Sequence, residues 1–263
     1  MQDLSISLVQ ANPLWQNVEE NLKYFSALIS QSGLLTDVIA LPEMFSTGFT
    51  MESGKMAEPM NGRTHVWMQE QAFKLNSVIC GSLIIIEDGN YYNRFLWVEP
   101  NGITCHYDKR HLFRMANEND SYSPGLNNFD INYKGWKVRP QICYDLRFPV
   151  WSRNSATEDV FAYDILLYCA NWPQARITAW DALLKARAIE NSAFCIGVNR
   201  VGEDGLGTVY NGHSAAFSPK GQQLCFMGNM EDFQTITLKK VTLSDYRKKF
   251  PVFMDSDNFR LDL

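Results

Sequence analysis

Arg139-Pro-Gln-Ile-Cys143-Tyr-Asp-Leu-Arg-Phe-Pro149 is the stretch on which the reading of this chain turns. Its apolar start predicts a short strand ending at Cys143, and Pro149 opposes continuation. A thiol is thereby placed at the carboxyl end of a strand, just before the chain turns. Open α/β layers expose their reactive groups at such edges. The N–H of Tyr144 comes next, where a donor to an oxyanion must sit. A buried, inert cysteine is the other reading, and the commoner fate of a cysteine taken at random. The charged neighbours Asp145 and Arg147 favour reactivity.

Outward from this stretch the pattern is strand, helix, strand, helix, then hairpins, then strand and helix again. Residues 4–9 alternate like a strand. Residues 17–29 carry Leu22, Phe25, Leu28 and Ile29 at helical spacing, and Gly33 is read as the stop. Residues 37–41 are almost wholly apolar, the mark of a strand covered on both faces. Residues 64–75 read as a helix, and 78–86 and 91–98 as strands joined at Asp88-Gly89-Asn90, a hairpin signal. A further strand spans 103–107. Residues 112–129 are polar and contain Pro124-Gly125, which suits an active-site loop. Strands follow at 136–143, 164–170, 193–201 and 233–238, and helices at 150–155, 175–191 and 241–250. Buried strands with few helices predict α/β architecture, with two mixed β-sheets packed face to face and helices outside.

The 263 residues suit one large domain or two small ones. Net charge is −5 and no basic stripe is present, which argues against nucleic acid as a partner. No apolar run approaches the ~20 residues needed to span a bilayer, so no membrane role is expected. The start, Met1-Gln-Asp-Leu-Ser, lacks the regions of a signal peptide, and a soluble, cytoplasmic protein is expected. The six cysteines form no C-x-x-C pair, and His65, His106 and His111 have no ligand spacing with them, so no metal site is expected.

Three of the expected strands end in a reactive side chain. Val38-Ile-Ala-Leu-Pro-Glu43 ends in a carboxylate, Thr104-Cys-His-Tyr-Asp-Lys109 in an ammonium, and Gln141-Ile-Cys143 in the thiol. If these strands are neighbours, the three groups meet at one sheet edge. The chemistry asks for such a set: a thiol is mostly protonated at neutral pH, a cation stabilises its thiolate, and a carboxylate can take its proton. Glu43 in a desolvated pocket could serve as base and then acid, while Lys109 would act electrostatically. Singly, Glu43 reads equally as a helix cap or turn, and Lys109 as part of a solvated charge run. Their repeated strand-end placement favours a site.

These blocks resemble a known family. Leu41-Pro-Glu43-Met-Phe-Ser-Thr-Gly-Phe49, Tyr107-Asp-Lys109-Arg-His-Leu-Phe113 and Ile142-Cys143-Tyr-Asp-Leu-Arg-Phe-Pro149 look like the three signature blocks of the nitrilase, or carbon–nitrogen hydrolase, superfamily. Ala170-Asn-Trp-Pro173, Ala186-Arg-Ala-Ile-Glu-Asn191, Gly197-Val-Asn-Arg200 and Gly212-His-Ser214 extend the similarity over essentially the whole chain, in order. The resemblance implies a single carbon–nitrogen hydrolase domain over 1–263, with a four-layer α-β-β-α sandwich (the nitrilase-like fold). It also implies a homodimer and a catalytic triad of Glu43, Lys109 and Cys143. Lys-Arg-His-Leu-Phe-Arg-Met and the cysteine block are most similar to the omega-amidase branch, including YafV-like proteins. That branch hydrolyses the terminal amide of 2-oxoglutaramate or 2-oxosuccinamate, giving the oxo acid and ammonia through a thioester, without a cofactor. A second glutamate often follows the lysine in this family. Glu118 is the only glutamate between Lys109 and Cys143, and a solvated loop charge is the competing reading. Phe49 stands where many relatives carry tyrosine.

A substrate carboxylate calls for a cation, and Arg147 and Arg176 are the candidates, since a planar fork matches a carboxylate. Structural salt bridges at a loop or a dimer face are at least as good an account of both. Tyr144 would offer its N–H to the oxyanion, and Trp172 would wall the pocket unless it is core. The aromatic tail (Phe250, Phe253, Phe259) suits a buried C-terminal contact in a dimer. The rival readings are nitrile hydrolysis or N-acyl transfer at the same site, a Cys–His hydrolase using His213 or His111, and a non-catalytic binding module.

Overall fold

The computed structural model describes residues 2–32, 36–157, 160–257, 259 and 261. The expected stop at Gly33 and the end of the tail at Leu263 lie outside the described residues. The helix Val18–Ser32 starts with Glu19 and Glu20, acidic side chains that favour the positive end of the helix dipole. Its Leu22, Phe25 and Ile29 share one face and pack on Ile39 and Ile79 of the sheet beneath. The helix Arg63–Leu75 adds Trp67, Met68 and Ala72 to the same layer. Asn76 closes that helix in the left-handed region at φ 49°, the role glycine more often fills.

Two six-stranded mixed sheets form the centre. The first runs in the order Asp232–Leu238, Leu4–Gln10, Val38–Ala40, Val78–Glu87, Asn90–Val98, Thr104–Asp108. Its three strands Leu4–Gln10, Val38–Ala40 and Val78–Glu87 are mutually parallel and its other pairings antiparallel. The second runs Gln223–Phe226, Ala215–Phe217, Phe194–Asn199, Ile165–Ala170, Trp136–Ile142, Ile131–Tyr133. It too has three central parallel strands flanked by antiparallel ones. Read from opposite edges, the two sheets have the same succession of pairings, although the sequence shows no repeat.

Period-two alternation explains the layering. Leu4, Ile6, Leu8, Val38 and Val78 of the first sheet join Val138, Ile165 and Leu167 of the second in one core. Intervening residues such as Ile39 and Ile79 point to the helices instead. Trp97 and Tyr133 meet edge to face across the gap, 5.6 Å between centroids. On the far side the helix Ile177–Glu190 covers the second sheet through Trp180, Leu184 and Ala188. It sits directly on Gly197, where a Cβ would lie 2.6 Å from both Trp180 and Leu184. The result is the expected α-β-β-α sandwich.

Several boundaries differ from expectation. The helix expected over 175–191 begins as a 3₁₀ turn, Gln174–Arg176, before Ile177–Glu190. The strand expected over 193–201 divides into Phe194–Asn199 and Val201–Glu203, the latter pairing with Val209–Asn211 in a separate ribbon. Ile131–Tyr133 and Gln223–Phe226 were not anticipated. The first is too short for periodicity, and the second has a mostly exposed pattern. Phe253 packs on Phe161 at 4.7 Å, but Phe250 and Phe259 are each 55% exposed. No helix among the described residues is long and apolar enough to cross a membrane.

Candidate active site

Glu43, Lys109 and Cys143 each lie just past the carboxyl end of a strand, and they do converge. The meeting place differs from the expectation of one sheet edge. Glu43 and Lys109 come from the first sheet, from its interior and its last strand, whereas Cys143 comes from the second. The site therefore spans the gap between facing sheets, at their common end. Cys143 opens the 3₁₀ turn Cys143–Arg147 with φ 45°, a conformation that costs a non-glycine residue energy. A strained strand-to-helix turn lifts the side chain clear of the strand, as in the nucleophile elbow of α/β hydrolases.

Asp145 anchors that turn. Its carboxylate accepts from the Ile142 N–H at 3.0 Å, the His111 N–H at 3.0 Å, the Tyr107 hydroxyl at 2.8 Å and contacts His111 Nδ1 at 2.8 Å. It is fully buried, so it is a structural tie between the two sheets rather than part of an open polar surround.

Lys109 donates from Nζ to Glu43 Oε1 at 2.9 Å and to Glu118 Oε1 and Oε2 at 3.0 and 2.9 Å. All three side chains are buried. Glu118 is thus no solvated loop charge. The Phe113 N–H donates to its Oε2 at 2.6 Å, and it begins the short helical turn Glu118–Ser121 within the loop 112–129. Gly125 holds this loop against the strand end: its N–H donates to Lys109 O, and a Cβ there would come 2.1 Å from Asp108 O.

Two asparagines complete the network, and neither was singled out from the sequence. Asn93 Nδ2 donates to Glu43 Oε1 at 2.7 Å and reaches Glu118 Oε1 at 3.3 Å, while its carbonyl accepts the Lys109 N–H at 2.9 Å. Asn171 donates its N–H to Glu43 Oε2 at 2.8 Å and its Nδ2 to the Glu43 carbonyl at 2.7 Å. A polar residue in an otherwise apolar strand, as at Asn93, was the available signal. For Asn171 it was placement one residue past a buried strand.

Electrostatics follow from this packing. Burial alone would pull the Lys109 ammonium down, but Glu118 and Glu43 outweigh it and hold its pKa well above the ordinary value. Burial pushes the Glu118 carboxyl up, against the pull of Lys109. Burial also pushes the Cys143 thiol well up, and Glu43 adds to this more than Lys109 subtracts. The sequence suggested a thiolate stabilised by the cation. Burial, with Glu43 beside the sulfur, favours the neutral thiol instead. Glu43 is the charged group that acts most strongly on the thiol, so a carboxylate able to accept its proton lies close by.

Cys143 and Lys109 open onto a cavity of about 390 Å³. Tyr144, Arg147, Trp172 and Arg176 also line it. Arg147 lies over the Trp172 ring at 4.9 Å, and Arg176 over Phe113 at 5.4 Å with Nη2 3.5 Å from Met115 Sδ. Among the described residues neither arginine is in an ion pair within the chain. Trp172 is buried, with Nε1 donating to Arg176 O at 2.8 Å. Tyr144 packs edge-on against Phe113 and Phe148, both at 5.1 Å. Phe49 lies 5.3 Å from Lys109 Nζ. His213 is paired with Asp181 and His111 with Asp145, and neither histidine lines the cavity.

A four-layer α-β-β-α sandwich with a glutamate, a lysine and a cysteine on one buried network defines a class of thiol-bearing hydrolases. Residues 5–248 match the carbon-nitrogen hydrolase family model, and the chain belongs to that family. It is a hydrolase acting on carbon–nitrogen bonds other than peptide bonds. The Escherichia coli K12 protein Omega-amidase YafV is 42% identical over 263 residues, 99% of this chain and 100% of the relative. The 2-oxoglutaramate amidase of Bacillus subtilis is 30% identical, covering 98% of each chain. Among solved structures, XC1258 of Xanthomonas campestris, a CN-hydrolase superfamily protein with an arsenic adduct in its active site, superposes with TM-score 0.97 at 41% identity, covering 100% of both chains.

Proposed function

We propose that this chain is a cysteine-dependent amidase of the omega-amidase type. It would cleave the terminal amide of a small 2-oxo dicarboxylic acid monoamide, 2-oxoglutaramate or 2-oxosuccinamate, to the acid and ammonia. The observation that carries this reading is the thiol of Cys143 and the ammonium of Lys109, itself bonded to Glu43 and Glu118, opening on one cavity with two guanidiniums that have no carboxylate partner among the described residues. The cavity is at the small end of ligand pockets, which fits a short acid better than a peptide. The names of the Escherichia coli and Bacillus subtilis relatives support the same substrate class.

In the mechanism, Glu43 takes the Cys143 proton as the sulfur bonds to the amide carbon. The transfer stays within the buried cluster, so its net charge is unchanged. Lys109 Nζ and the Tyr144 N–H hold the oxyanion. The C–N bond then breaks, and Glu43 returns the proton to the departing nitrogen, releasing ammonia and leaving a thioester. Glu43 next takes a proton from water, whose oxygen attacks the thioester carbon. The C–S bond breaks, and the proton passes from Glu43 to the sulfur. Splitting one displacement into two lowers each barrier. Glu118 keeps Lys109 charged and in place, Arg147 and Arg176 receive the distal carboxylate, and Trp172 forms the wall.

Residues 1–263 would act as one catalytic domain. A homodimer with the C-terminal tail at its contact is supported by the exposed Phe250, Met254 and Phe259. The test is ammonia release from 2-oxoglutaramate, 2-oxosuccinamate, glutamine, asparagine and a simple nitrile. Turnover of the two oxo amides, abolished in Cys143→Ala, is expected. Turnover confined to the nitrile, or surviving in Cys143→Ala, would overturn the reading.

A further inference from the structure

Asn171 Oδ1 is buried and has no hydrogen-bond partner among the described residues. An unsatisfied buried acceptor is costly, of order 1–3 kcal/mol, and such an atom in a native fold asks for an explanation. The orientation of the side chain is set chemically. Nδ2 must face the Glu43 carbonyl, which can only accept, and the backbone N–H is also turned to Glu43. Oδ1 is the polar atom left over, on a residue that lines the cavity beside Cys143 and Lys109. The oxygens of Glu43 and Glu118 already accept from Lys109 and Asn93, and Asn93 Oδ1, also without a partner among the described residues, belongs to a residue that does not line the cavity.

We infer that Asn171 Oδ1 accepts a hydrogen bond from the –NH₂ of the scissile amide and so selects primary amides over substrates whose leaving group carries no N–H. This rests on the amidase reading above. A primary amide brings two N–H donors to the site, whereas a nitrile or an ester brings none. With one N–H held by Asn171, the nitrogen is fixed next to Glu43, whose Oε2 already accepts from the Asn171 N–H at 2.8 Å. As the carbon becomes tetrahedral, the nitrogen lone pair that develops can then turn to the proton on Glu43. The same residue therefore positions the acid and the group it protonates. A site built to bond a substrate N–H discriminates strongly against analogues lacking it, because its own buried group is then left unpaired.

The test compares 2-oxoglutaramate with the matching methyl ester of 2-oxoglutarate, which forms the same thioester, in wild type, Asn171→Ala and Asn171→Asp. Asn171→Ala keeps the backbone N–H to Glu43 and removes Oδ1. Its kcat/KM for the amide is expected to fall roughly 10- to 100-fold, with the ester changed far less. Asn171→Asp retains an oxygen at this position, so the amide-to-ester ratio should stay near that of wild type even if both rates drop. If Asn171→Ala does not fold, a collapsed ratio in Asn171→Asp overturns the inference by itself. Equal losses on amide and ester in Asn171→Ala would overturn it too, since the side chain would then serve only to hold Glu43. Ester turnover by a wild type that leaves the amide intact would instead sink the amidase reading on which the inference stands.

Discussion

Replacing Lys109 with methionine isolates what its charge does. Methionine keeps much of the side-chain volume and removes the ammonium that bonds Glu43 and Glu118 at 2.9–3.0 Å. Two buried formal carboxylates would then share Asn93 with no cation between them. Removing one partner of a buried ion pair costs about 3–5 kcal/mol. For a chain of this length that corresponds to a drop in Tm of roughly 6–20 °C. Activity should fall by at least ~10²–10³, the usual loss for one oxyanion donor. The sign of the pH dependence comes from Glu118, whose carboxyl is raised by burial while Lys109 pulls it down. An acid with a folded pKa above its unfolded value, near 4.3 for glutamate, stabilises fully below that value. That contribution is lost as pH rises through the folded pKa. Without Lys109 the folded pKa climbs further, so the variant's deficit should be smaller at pH 5 than at pH 8. Adding Glu118→Gln returns the cluster to a single formal negative charge, and the double variant should be more stable at pH 8 than Lys109→Met alone. Urea unfolding of the three proteins at both pH values measures this. Equal deficits at pH 5 and 8, or a double variant no more stable than the single one, would refute the reasoning.

Other substitutions probe separate parts of the account. Arg147→Met and Arg176→Met should each raise KM for 2-oxoglutaramate, by about 10-fold or more if a charge-assisted bond is lost, while leaving an uncharged small amide little affected; steady-state kinetics on both substrates decide it. Gly197→Ala forces a Cβ to 2.6 Å from Trp180 and Leu184 and should cost about 1–3 kcal/mol in chemical denaturation. His213→Ala should leave kcat/KM essentially unchanged, and loss of turnover in the folded variant would revive a Cys–His mechanism.

What could be read from the sequence divides along physical lines. Glu43 and Cys143 were visible because prolines at 42 and 149 mark where their strands stop. Lys109 was visible because the strand expected over 103–107 leads straight into Asp108-Lys109-Arg110-His111. Their convergence was visible only as a condition, since strand order cannot be read from periodicity. Lys109 sits on the last strand of its sheet, three strands from that preceding Glu43, and Cys143 on another sheet altogether. Glu118 was reached through the family resemblance, and only burial shows that it is no surface charge. Asn93 and Asn171 escaped notice because an asparagine in a strand or just after one has many uses, and only three-dimensional hydrogen bonding reveals which. Asp145 was misjudged for the same reason: its charge suggested a polar surround, whereas its bonds make it a buried tie. The upward push on the Cys143 thiol was also hidden, since it comes first from burial and then from Glu43, 100 residues away in sequence.

The central claim is that Cys143 carries the acyl group during turnover. The direct measurement is peptide mass mapping of the enzyme acid-quenched while hydrolysing 2-oxoglutaramate. The account predicts one added acyl group, removable by hydroxylamine, on the peptide containing Cys143 and absent from Cys143→Ala. An acyl group found on another of the cysteines, or full turnover by Cys143→Ala with no adduct anywhere, would contradict it.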